Sequence, residues 1–138
     1  LRNANRAQDI LMSQIRPGRT GNEILASTLA TMRAEQLDGT IYSHPIGTHG
    51  HGAGALIGLW DYQGGVPGRG DHRVIADMWY SIELQVTSPV AEWGGQPVRM
   101  AQEEDMVIGA DGVPRWAHAR QEALILVERS PSAPASRE

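Results

Sequence analysis

The hydrophobic pattern of this chain changes period once, from helical to strand-like, and that change limits the architectures open to it. From Arg2 to Ile15 the apolar residues Ala7, Ile10, Leu11 and Ile15 recur at helical spacing, and Arg16-Pro17-Gly18 supplies a stop. Thr20-Gly21-Asn22-Glu23 has the form of a capping box, a hydroxyl for the amide three residues on and a carboxylate reaching back. The helix it opens carries Ile24, Leu25, Thr28, Leu29 and Met32 on one face, runs to about Gln36, and is expected to end through Asp38-Gly39. Beyond Thr40 the alternation is two-residue. Strands are predicted at Thr40–Tyr42, Trp79–Val86, Val98–Met100, Met106–Ile108 and Ala123–Val127, with Asp111-Gly112 as the hairpin turn between the last two. Two helices ahead of several antiparallel strands make an α+β fold, with the helices on one face of a curved sheet.

Composition narrows the partners and the chemistry. The 138 residues suit one domain, and a net charge of −4 without any basic block gives no electrostatic reason to bind nucleic acid or an anionic membrane. The chain has no cysteine, so disulfides and thiolate metal sites are excluded, and any metal must be held by His, Asp, Glu or carbonyl oxygen. No apolar run approaches the roughly 20 residues of a spanning helix, and no signal-like segment follows Arg2 and Arg6. A cytoplasmic location is the expectation. The opening on Leu1 rather than methionine points to a segment of a longer product, and residues 129–138, made of Ser, Pro, Ala, Arg and Glu, are expected to be a disordered tail.

The residues suited to chemistry cluster in two places. His44, His49 and His51 fall within Ser43–Gly52, a segment too rich in glycine for regular structure to explain. Glu83 sits inside the apolar run Tyr80–Val86, and Glu103-Glu104-Asp105 places three adjacent acids ahead of Met106-Val107-Ile108, an arrangement that repels itself unless a cation is near. The loop Leu59–Arg73 carries Arg69, Asp71 and His72, which are candidates to line the mouth of a site. The His49-x-His51 pair also fits the cupin iron pattern, but that pattern needs a glutamate soon afterwards, and Gly52-Ala53-Gly54-Ala55 follows instead.

Three ordered blocks carry a resemblance to a known family. His44-Pro45-Ile46-Gly47, with a second histidine at His51, then Tyr80-Ser81-Ile82-Glu83, then Glu103-Glu104-Asp105-Met106-Val107-Ile108 with Asp111-Gly112 behind, resemble the pita-bread metallopeptidases: methionine and proline aminopeptidases, prolidase and creatinase. The resemblance covers Leu1 to Val127 and implies that residues 1–128 are the C-terminal part of a catalytic domain of that fold. It implies His44, Glu83 and Glu104 as metal ligands, Glu104 also exchanging a proton with the attacking water, and His51, or His49 in its stead, beside the substrate. The implied cofactor is a pair of divalent ions in the complete protein, Mn, Co, Fe or Zn, and the implied activity is hydrolysis of peptide bonds, as in an aminopeptidase or Xaa-Pro peptidase. A peptide substrate and a homodimer are the implied partners. The family's two aspartate ligands precede the segment matched here, so the isolated segment is expected to be inactive. A non-catalytic peptide- or protein-binding member of the fold, and a creatinase-like amidinohydrolase, are the alternative readings. Pro45 and Gly52 depart from the family's usual glycine and acidic residue at those places.

Overall fold

A computed structural model describes residues 1–127. Helix α1 spans Arg2–Gln14 and buries Ala4, Ala7, Ile10 and Leu11 along one stripe. Helix α2 spans Gly21–Ala34 and starts at the capping box expected there: Thr20 Oγ1 accepts the Glu23 N–H at 3.1 Å, and the Glu23 carboxylate accepts the Thr20 N–H at 2.7 Å. Both helices lie against the same face of a five-stranded sheet.

The strands are β1 (Asp38–Ile41), β2 (His44–Pro45), β3 (Met78–Val90), β4 (Gln96–Ile108) and β5 (Pro114–Trp116), all pairing antiparallel in the order β1-β3-β4-β5, with β2 also on β3. β1 and β2 keep one register along β3, Ile41 opposite Leu84 and His44 opposite Ser81, so they form one extended margin. The core sits between helices and sheet, where Tyr80, Ile82, Leu84 and Val86 of β3 meet Ile10, Leu11, Ile24, Leu25 and Met32. The Gln8 side chain, also buried, donates to the Ile82 carbonyl at 3.1 Å and couples α1 to β3. Among the described residues, the other face of the sheet carries no helix.

The α+β class is therefore observed, with two helices and an open antiparallel sheet. Several boundaries differ from those expected. α2 stops at Ala34 because Gln36 takes a left-handed conformation (φ 57°), letting the Leu37 N–H reach back to the Met32 carbonyl at 2.9 Å. Asp38-Gly39 is then strand rather than turn, and Gly39 is needed for close packing: a Cβ there would lie 2.4 Å from the Gln85 carbonyl oxygen. The short strands predicted at Val98–Met100 and Met106–Ile108 are one 13-residue strand, whose polar middle obscured its continuity because it lies at a half-exposed position in the sheet. The Asp111-Gly112 turn leads to β5, not to Ala123–Val127, which has no regular structure. Residues 129–138 lie outside the described residues.

Candidate metal centre

The bare face of the sheet collects the candidate residues because a strand sends alternate side chains to opposite faces. Tyr42 and His44, two apart on the β1–β2 margin, share that face with Ser81 and Glu83 of β3 and with Glu103, which pairs directly with Glu83. His44 is buried at 3% exposure, and its Nε2 lies 3.6 Å from a Glu83 oxygen and 3.9 Å from a Glu103 oxygen. One ligand atom from each of the three residues falls within 4.8 Å of the others.

Hydrogen bonding orients this group. His44 Nδ1 lies 3.1 Å from the Pro45 carbonyl, an acceptor only, so Nδ1 carries the proton and Nε2 faces the carboxylates. Ser81 donates to Glu103 at 2.8 Å and fixes one of its oxygens, while the rest of that side chain is more than half exposed. Burial pushes the Glu83 carboxyl above its ordinary range, the neighbouring Glu103 charge pushes the same way, and His51 offsets part of it.

The glycine-rich loop folds tightly back on itself to deliver a second imidazole. The Gly52 N–H bonds the Pro45 carbonyl at 2.7 Å, and a Cβ at Gly47 would meet the His51 carbonyl oxygen at 2.7 Å, so only glycine fits there. His51 consequently stacks on His44 with ring centroids 4.0 Å apart and planes 17° from parallel, and its Nε2 lies 3.1 Å from the Tyr42 hydroxyl. Trp60 meets the edge of Tyr42 at 5.6 Å. His49 is exposed at the loop tip and makes no side-chain hydrogen bond among the described residues.

Glu104 is not brought to this group. It pairs with Ile82, so the pleat turns it to the helix-bearing face, where its carboxylate accepts the Gln121 N–H at 3.0 Å. The carboxylate grouped with His44 and Glu83 is that of Glu103, one residue earlier. Of the loop residues, Asp71 accepts from Asn22 at 2.8 Å and Arg69 reaches the Gly52 carbonyl at 3.4 Å, whereas His72 is exposed. Tyr42 and Ser81 were not singled out from sequence, and Glu103 was marked only as one of three adjacent acids. Trp93-Gly94-Gly95 is the signal that locates Glu103, because a hairpin centred there sets Glu83 opposite Glu103.

Comparison with protein-family models, curated proteins and solved structures returns no match. The geometry of the chain therefore carries the functional reading.

Whether these residues suit a cation can be tested on distances. A protonated imidazole bonded to a carboxylate brings N and O to about 2.7–2.9 Å, well inside the 3.6 and 3.9 Å seen here. Two donor atoms bound to one divalent ion, each about 2.1 Å from it, lie roughly 3.0–3.5 Å apart. Both separations are closer to the spacing of ligands around an ion than to that of a charge-assisted hydrogen bond. The three residues are therefore able to hold a metal ion.

Proposed function

We propose that this chain holds a divalent cation on His44, Glu83 and Glu103 and belongs to a metal-dependent hydrolase of peptide bonds of the pita-bread type. The observation that carries the reading is the convergence of one imidazole nitrogen, oriented by the Pro45 carbonyl, on two carboxylates from adjacent strands. Two carboxylates and one imidazole suit Mn, Co, Fe or Zn, with availability deciding among them. A cation at this position supplies Lewis-acid chemistry, acidifying a water and polarising a carbonyl.

The protein's own groups supply the rest. Glu103, held through one oxygen by Ser81 and otherwise exposed, is the carboxylate best placed to take a proton from an incoming water. Glu83 is the more enclosed partner and acts as a ligand. When the Tyr42 hydroxyl donates to His51 Nε2, the His51 proton resides on Nδ1, available to a substrate carbonyl oxygen. Tyr42 is thus a positioning residue for His51.

The test is manganese binding by calorimetry and elemental analysis on wild type, Glu83→Ala, Glu103→Ala and Glu104→Ala. Stoichiometric binding lost in the first two variants and retained in Glu104→Ala supports the site. Absence of binding by wild type, or loss confined to Glu104→Ala, overturns it. Release of N-terminal residues from Xaa-Pro and other short peptides by the metal-loaded protein tests the peptidase reading, and creatine hydrolysis without peptide cleavage would favour the amidinohydrolase instead.

A further inference from the structure

The two margins of the sheet are finished very differently. Along β1–β2 the outward backbone groups of Ile41 and Ser43 are satisfied from within the chain: Ser43 exchanges both bonds with Ile57 at 2.9 and 2.8 Å, and the Gln63 side-chain amide takes both the N–H and the C=O of Ile41 at 2.9 Å each. The β4 margin has no such cover. Because the Tyr42 N–H bonds the Glu83 carbonyl, odd-numbered β3 residues point their backbone groups toward β1 and even-numbered ones toward β4. Their β4 partners Met100, Gln102 and Glu104 therefore point inward, and Arg99, Ala101, Glu103 and Asp105 point outward. The Asp105 carbonyl accepts from the Ala117 N–H at 2.9 Å, the last rung after β5. The N–H and C=O of Arg99, Ala101 and Glu103 have no partner among the described residues, and Pro97, which lacks an N–H, ends the row.

The same chain carries a segment with the opposite need. Leu124, Ile125, Leu126 and Val127 are consecutive apolar residues exposed at 61%, 82%, 87% and 90%. They are strand-forming, uninterrupted by Gly or Pro, and unusual as a contiguous exposed run.

We propose that Ala123–Val127 is the strand that fills the β4 margin, antiparallel to β4, with Ala123 opposite Glu103, Ile125 opposite Ala101 and Val127 opposite Arg99. The direction is that of β5, which already occupies the same margin. The tether is in place: the Gln121 N–H bonds the Glu104 side chain of β4, the Gln121 carbonyl accepts from Asn5 at 3.1 Å, and Arg120 pairs with Asp9 while lying 5.3 Å over the Trp116 ring. Residues 118–122 can stay where they are, looped onto α1, since Ala123 is only two residues from Gln121 and each residue spans up to about 3.5 Å. Parity then matches chemistry. Leu124 and Leu126 fall on the helix-bearing face beside Gln102 and the partly buried Met100, while Ala123, Ile125 and Val127 fall on the bare face. Ile125 becomes a wall of the cleft lined by Glu83, Ala101, Gln102 and Glu103. Glu104 gains a role here that does not depend on any metal, as the anchor that keeps the segment beside its margin.

Amide exchange by NMR on the full chain tests this, alongside Leu124→Asp/Leu126→Asp, whose changes fall on exposed residues and leave the core intact. The expected result is protection of the Ala101 and Glu103 amides by at least about 100-fold in wild type, lost in the variant while the Ile82 and Leu84 amides keep theirs. In this cysteine-free chain, Gln102→Cys with Leu124→Cys should close an intramolecular disulfide on mild oxidation, since the two form a close cross-strand pair in the proposed register. Unprotected Ala101 and Glu103 amides in wild type, protection that survives the double Asp change, or a disulfide-linked dimer in place of the monomer would each overturn the proposal.

Discussion

Glu83 combines a cost to the fold with a use in the site. Its carboxyl is raised chiefly by burial and secondarily by Glu103, so in the metal-free chain it holds its proton more tightly when folded than when unfolded. A group raised in this way lowers stability as pH climbs from the ordinary carboxylate range through the folded value. Glu83→Gln is therefore expected to raise the Tm of metal-free protein at pH 7, with the gain lost below the ordinary carboxylate range, and to abolish manganese binding. Equal or lower Tm at pH 7, read by circular dichroism, would show that the carboxylate is already compensated. Tyr42→Phe removes only the hydroxyl facing His51; under the proposed hydrolysis, metal content should be unchanged while kcat falls roughly 10–100-fold. At this scale the sequence made His44, His51 and Glu83 visible, because glycine-rich surroundings or an acid in an apolar run mark a residue as out of place. It did not separate Glu103 from Glu104, since three adjacent acids look alike until the hairpin register decides which one shares a face with Glu83.

Among the elements, α2 was the most legible, because its start is encoded locally in Thr20 and Glu23. Thr20→Ala should cost about 1 kcal/mol in urea denaturation by removing one half of the reciprocal bond. The Glu23 carboxyl is lowered first by the bond from the Thr20 backbone N–H, and further by the Thr20 side chain and by Arg73 and Arg19. That stability is present above the ordinary glutamate range and is lost as pH falls through the lowered folded value. Glu23→Gln should accordingly flatten the fall in Tm between about pH 6 and pH 3, a comparison that a thermal-melt series settles directly. The strands were less legible, for a physical reason. Burial alternates along β4, but Gln102 and Glu104 on its half-buried face are as polar as Glu103 and Asp105 on the bare one, so the sequence there shows no alternation and its 13 residues read as two fragments. Ala123–Val127 reads as a strand by composition, yet it has no regular structure, and the pairing proposed for it depends on a margin some 20 residues earlier, which local pattern does not encode.

Over the whole molecule the helices and the candidate site divide the sheet between them, one face each. That division follows from the pleat: the residues that build the core (Tyr80, Ile82, Leu84, Val86) and those that build the site (Ser81, Glu83) alternate along β3. The α+β class was readable from the period change alone, whereas the closing of the margins was not, because it depends on single side chains such as Gln63. Its amide imitates a peptide unit, donating to the Ile41 carbonyl while accepting from the Ile41 N–H. A carboxylate in its place keeps the acceptor and loses the donor, leaving the Ile41 carbonyl facing negative charge. Gln63→Glu is expected to increase self-association in sedimentation velocity runs, with the secondary structure unaltered. One side-chain amide thus stands between the Ile41 stretch of this margin and a second strand, so solubility of the protein rests on a residue far from both the core and the candidate site.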